Sequence, residues 1–118
     1  MKQSGDEVAA YRTKDGSQIR ELIHPDRHPV KNQSLAEASV EPGMSTRLHR
    51  HLETEEIYHI SAGEGVMILG EQQFAVGPGD SVLIPPGTAH AIRNTGNKVL
   101  RILCCCAPAY RHEDTELL

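Results

Sequence analysis

His49-Arg50-His51 places two imidazoles on one face of an extended segment, their Cα atoms about 7 Å apart by strand rise. Neutral imidazole is the usual protein ligand for a divalent transition metal, binding at about 2.0–2.1 Å. Two imidazoles at this spacing can grip one ion if further ligands arrive from neighbouring strands. Glu56, just past the short turn at Leu52-Glu53-Thr54-Glu55, is placed to supply a carboxylate, and His90, on a distant segment, could close the site. An ion held this way with positions left open would activate a carbonyl, enol or carboxylate as a Lewis acid, or support dioxygen chemistry with a redox metal. The chain has seven histidines. His24 and His28 fall in a Pro-flanked polar loop and are expected at the surface; His112 belongs to the tail. His59 has the parity of an outer sheet face or a dimer contact.

Strands must position these groups. Apolar runs are short, alternate with polar residues and are broken by turn formers such as Glu41-Pro42-Gly43, Gly77-Pro78-Gly79-Asp80 and Pro85-Pro86-Gly87. The pattern predicts strands over 17–23, 33–40, 45–51, 55–62, 64–69, 72–76, 81–84, 88–94 and 98–106. No segment sustains a 3.6-residue period, and such strand spacing indicates an all-β sandwich or barrel. Parity puts Ser45, Arg47, His49 and His51 on one face, and turns Glu56 and Tyr58 inward with Glu55 outward. It also groups His90, Ile92 and Asn94, and turns Leu100, Ile102, Cys104 and Cys106 toward the interior. The charged tail, 107–118, is expected to pack on the surface or fray.

Composition narrows the function classes. A chain of 118 residues makes one domain, 1–118. Sixteen acids against twelve Lys and Arg give a net charge of −4, and only Tyr11, Tyr58, Tyr110 and Phe74 are aromatic. Neither the basic stripe nor the stacking platforms of a nucleic-acid binder are present, so no nucleic-acid partner is expected. No apolar run approaches a membrane span and the first residues lack a signal-peptide core, so no membrane association is expected. Cys104, Cys105 and Cys106 are consecutive, alternate in direction on a strand and suit reduced thiols in a cytoplasmic protein.

Gly43, His49, His51, Glu56 and Gly63 match the first motif of the cupin superfamily, G-x5-H-x-H-x3,4-E-x6-G, over 43–63. Gly79, Pro85, Gly87, His90 and Asn94 match the second, G-x5-P-x-G-x2-H-x3-N, over 79–94. The chain thus resembles a small single-domain cupin. The resemblance implies a double-stranded β-helix (jelly-roll) barrel, a homodimer, and one divalent transition metal ion held by His49, His51, Glu56 and His90. The motif glycines and Pro85 would be structural, and Asn94 would hold a turn or strand end. The six-residue gap to Gly63 favours Glu56 over Glu55. Three imidazoles and a carboxylate suit Fe, Mn, Ni, Co or Zn, with Cu also open.

The pocket lining bears on the substrate. Arg47, two residues before His49, would meet a carboxylate or phosphate on a small molecule. Tyr58 would hydrogen-bond substrate or act as a catalytic acid, while Ile92, Ile102 and Cys104 would complete the walls. Family resemblance therefore implies a metal-dependent enzyme on a small polar or anionic metabolite, dioxygenase-like or isomerase-like on a sugar or sugar phosphate. The alternative is a non-catalytic cupin that binds or senses a small ligand through its ion. Outward apolar residues Ile57, Val99 and Leu103 support the homodimer.

Overall fold

A computed structural model describes all residues from Met1 to Leu118. Its strands are β1 (Tyr11–Arg12), β2 (Gln18–Ile23), β3 (Ser34–Val40), β4 (His49–His51), β5 (Glu55–Ala62), β6 (Gly65–Leu69), β7 (Gln72–Val76), β8 (Ser81–Ile84), β9 (His90–Asn94), β10 (Leu100–Ala107) and β11 (Thr115–Leu117). They form two antiparallel sheets, one in the order β1-β2-β3-β10-β5-β8 and the other β11-β4-β9-β6-β7. Inward positions of each strand alternate with solvent-facing ones, as on β5, where Glu56, Tyr58 and Ile60 are buried between exposed Glu55, Ile57 and His59. Ile60, Met67, Ile84, Ile92, Leu100 and Ile102 meet between the sheets with almost no exposure. Each buries apolar surface that contributes roughly 1.5–3 kcal/mol. The architecture is a jelly-roll barrel, and the only helix is two 3-10 turns, Gly5–Glu7 and His112–Asp114.

Two expectations change. The predicted strand over 45–51 is regular only from His49 to His51, with Ser45 making a lone bridge to Arg93. Thr46 binds the β9 backbone in both directions: its N–H donates to Ile92 O (2.9 Å) and its Oγ1 accepts from Ile92 N (3.0 Å). The next N–H, of Arg47, donates to Asp15 O at 2.7 Å. The chain therefore steps from buried Thr46 past exposed Arg47 and Leu48 to buried His49, which breaks the two-residue alternation.

Nor does the tail fray. Its β11 pairs with β4, matching Thr115 to His51 and Leu117 to His49. Asp114 accepts backbone hydrogen bonds from Glu53 N (2.9 Å) and Thr54 N (3.0 Å), gripping the turn between His51 and Glu56. Burial would raise the Asp114 carboxyl, but these donors overcome it and hold the group below its usual range. The charged residues that looked like a solvated end are spent on backbone groups of the turn between β4 and β5. At the barrel's opposite end, Asn94 donates to Val40 O and Lys98 O and accepts from Gly96 N, fixing the exit of β9.

Candidate metal centre

β4 and β9 are neighbours with His49 opposite His90 in register, and β5 lies across the barrel, so three strands deliver four side chains to one buried point. The nitrogens that His49, His51 and His90 can offer a metal all lie within 4.8 Å of one another. Hydrogen bonds on the far side of each ring assign its tautomer. His49 Nδ1 donates to Arg47 O at 2.7 Å, and His90 Nδ1 donates to Thr88 O at 2.9 Å. His51 Nδ1 lies 3.1 Å from Thr115 Oγ1, whose own proton goes to Arg111 O at 3.2 Å, so the ring is the donor there too. Each imidazole thus carries its proton at Nδ1 and turns an Nε2 lone pair inward.

Glu56 adds a carboxylate to this ring of lone pairs. Its Oε1 lies 3.1 Å from His51 Nε2 and 3.6 Å from His90 Nε2. Both Glu56 Oε1 and His90 Nε2 are buried without a hydrogen-bond partner. Burial alone would raise the Glu56 carboxyl; it is held down, at about 2, only when protons on the facing His51 and His90 Nε2 atoms, or a cation in their place, offset that burial. Burial, reinforced by His90, lowers His49 and keeps it neutral. Converging lone pairs and a buried anion with no hydrogen between them repel, and a divalent cation is what this donor set fits.

Neighbours complete the arrangement. Glu56 Oε2 accepts from the Cys106 thiol at 3.3 Å. Burial and then Glu56 push the Cys106 thiol up, so it remains a donor. Asp15, on the loop between β1 and β2, has Oδ2 3.5 Å from His49 Nε2. Its Oδ1 is occupied by Thr13 Oγ1 (2.7 Å), Ser17 N (2.8 Å) and Ser17 Oγ (2.6 Å). Sequence reasoning assigned neither residue. Cys106 had inward parity but lay at a strand end, and Asp15 in Thr13-Lys14-Asp15-Gly16-Ser17 reads locally as a turn.

The ring opens into a cavity of about 40 Å³, room for roughly three waters. Tyr58, Ile92, Ile102 and Cys104 line it, with Ala36 and Ala38 small enough to leave the space. The Tyr58 hydroxyl makes no hydrogen bond to protein, and its ring stands edge-on to His90 at 5.9 Å between centroids. Burial and then Glu56 raise Tyr58 and Cys104 well above their ordinary ranges, keeping both protonated. Arg47 is exposed and does not line the cavity; Thr46 takes the inward place that alternation reserved for it. His24 is not a surface residue either: it is buried, its Nε2 donating to Tyr110 O at 2.8 Å and its Nδ1 accepting from Asp26 N at 3.1 Å.

Because Thr115 orients His51 from outside the ring, Thr115→Val should keep the fold while weakening metal binding by roughly 10–100-fold. Competition with a metallochromic chelator measures this, and unchanged affinity would remove Thr115 from the site.

The family profile described as Cupin domain matches residues 36–106, which include every member of the ring. The chain belongs to the cupin family. Among its relatives, an uncharacterized protein of Methanocaldococcus jannaschii is 52% identical over 118 residues, covering 100% of this cupin and 94% of the relative. The oxalate-binding protein of Thermotoga maritima is 37% identical over 86 residues, 73% of this chain and 71% of that protein. A crystal structure from Thermotoga maritima described as a predicted oxalate decarboxylase superimposes with a TM-score of 0.81 at 27% identity, covering 92% of this chain and 99% of that one. No helix of this cupin is long and apolar enough to cross a membrane.

Proposed function

We propose that this cupin is a metal-dependent enzyme acting on a small, oxygen-rich anionic metabolite by proton transfer, the isomerase type of chemistry. The observation that carries the proposal is the buried convergence of His49, His51, His90 and Glu56, with Glu56 Oε1 and His90 Nε2 left without partners. These four residues would hold one divalent transition metal. When bound, the ion supplies Lewis-acid polarisation of a ligand oxygen. Tyr58, kept as a neutral phenol with a free hydroxyl, would donate its proton to that ligand's oxygen, and Asp15, whose Oδ2 faces the same cavity, would be the base that takes the ligand's carbon-bound proton. Ile92, Ile102 and Cys104 exclude water from the reacting end, and the cavity's about 40 Å³ limits that end to a few heavy atoms. The Thermotoga relative named for oxalate supports a carboxylate-bearing ligand. Two protonated side chains on the wall, Tyr58 and Cys104, favour proton transfer over the oxygenase reading.

That same relative's name favours a second reading, binding without turnover. One set of measurements separates the readings. Purified protein should carry close to one divalent metal per chain by elemental analysis. Loaded with Mn(II) or Fe(II) in deuterated water, it should exchange the carbon-bound proton of a small 2-hydroxy or 2-oxo acid. Tyr58→Phe should retain the metal and slow exchange by about 100-fold or more. Oxygen uptake would indicate the oxygenase type, saturable binding with neither signal a carrier, and absent metal would overturn the proposal. The expected setting is cytoplasmic, and the expected protein partner is a second copy: exposed Ile57 and Leu83, cross-strand neighbours on the outer face, support a homodimer.

A further inference from the structure

Glu21 is a buried acid that the histidine ring does not use. It lies on β2 in the inward register, 9% exposed, and its Oε2 is buried with no hydrogen-bond partner. Register places it in one cross-strand row: Glu21 opposite Ala36, Ala36 opposite Cys104, and Cys104 opposite Tyr58. Because Ala36 and Cys104 are small, the two proton-bearing ends of that row, Glu21 and Tyr58, both reach the cavity that holds His49, His51 and Glu56. Glu21 also lines an adjoining polar basin with Tyr11, His24, Arg27 and Tyr110. It therefore stands between the metal ligands and the polar approach to them. A register shift follows it directly, between Glu21 and Ile23, and bulges of this kind re-aim side chains beside binding sites.

We infer that Glu21 is a second ligand-facing acid of this cavity, its carboxyl O–H donating to the oxygen of a bound metabolite that points away from the histidine ring. This rests on the functional reading above. A buried carboxyl group with an orphaned oxygen is costly unless it is protonated and finds an acceptor, and no protein group partners Glu21 Oε2. The charged groups around it oppose one another: His24 and Arg27 favour the ionised form, Glu56 and Asp26 disfavour it, and burial, the largest influence, raises the group. With its proton committed to the ligand, the acid would add no second negative charge beside Glu56, so an anionic ligand could enter. It also sets a chemical class: the ligand needs one oxygen for the ion and a second, a few atoms away, that accepts a hydrogen bond. Hydroxy-, oxo- and dicarboxylic acids meet that requirement, whereas a simple monocarboxylate of acetate's length does not.

Glycolate is the probe, bound to the Co(II)-loaded protein and followed through the cobalt visible bands. Glu21→Gln and Glu21→Leu should each keep one Co(II) per chain. Glu21→Gln, which retains a donor, should bind glycolate within about threefold of wild type, while Glu21→Leu should bind it about tenfold or more weakly. Infrared difference spectra of wild type should show a protonated-carboxyl C=O band that shifts on adding glycolate and is missing from Glu21→Gln. Equal glycolate affinity in Glu21→Leu and wild type, or no such band lost in Glu21→Gln, would overturn the assignment and leave the metal reading standing. Failure of wild type to take up Co(II) or glycolate would overturn both.

Discussion

Glu56→Gln is expected to bind divalent metal about 100-fold or more weakly than wild type, and yet to be the more stable protein once metal is stripped from both. The two halves have one cause. In the metal-free ring Glu56 Oε1 is a buried anion facing the Nε2 atoms of His51 and His90 at 3.1 and 3.6 Å, with no proton between them. A buried polar group left without a partner costs about 1–3 kcal/mol. Glutamine fills nearly the same volume, carries no charge and offers an N–H to those same lone pairs. Its oxygen can still accept from the Cys106 thiol, the contact now made by Glu56 Oε2. Bound metal reverses the balance, since the variant has lost the ring's one negative ligand, a larger loss than the 10–100-fold typical of an outer partner. Thermal melts with and without chelator, alongside elemental analysis, read both signs. A variant that loses metal and also melts lower when stripped would mean that Glu56 is paired by hydrogen bonds in the free protein.

What the residues alone disclose about this site follows from how local each constraint is. His49, His51, Glu56 and His90 stand at fixed spacings on short strands, and a strand converts spacing into direction, so the ring is legible from the chain. Tyr58, Ile92, Ile102 and Cys104 follow the same rule. Arg47 does not, because the alternation that would aim it inward is broken by Thr46 bonding to β9 and by Arg47 N bonding to Asp15 O. Those contacts join segments far apart in sequence, and no local pattern announces them. Asp15, Glu21 and Thr115 share that reason. Each reaches the cavity or its ligands through tertiary pairing: Asp15 through a loop tied to residue 47, Glu21 through the β2–β3 register, and Thr115 through β11 laid along β4. The tail misleads for a related reason. His112-Glu113-Asp114 is as polar as a solvated end, and only the backbone N–H groups of Glu53 and Thr54, which Asp114 accepts from, make its acid a buried grip.

Gly63→Ala is expected to cost about 2–5 kcal/mol of folding free energy, the larger part absent from Gly43→Ala. Both glycines sit in the left-handed region, with φ +82° at Gly63 and +77° at Gly43, so each substitution brings strain of about 1–2 kcal/mol. Their surroundings differ. A Cβ at Gly43 meets nothing within 4 Å, whereas at Gly63 it would lie 2.7 Å from Val99 O and 2.8 Å from Leu100 Cα. Both of those are backbone atoms that cannot rotate away, and Leu100 is a fully buried core residue that opens β10. Relief requires moving the start of β10 from the end of β5, adding about 1–3 kcal/mol. Urea melts of the chelator-treated proteins measure the difference between the two variants, with unchanged m-values as the check that both unfold from the same native barrel. Metal affinity supplies the second readout. Gly63 follows β5 at the end opposite Glu56, about 23 Å away along a strand. Effects at that distance are close to independent, so Gly63→Ala should change metal affinity by less than about threefold while its folding free energy falls. A parallel loss of both would mean that the β5–β10 pair moves as one body and carries Glu56 with it.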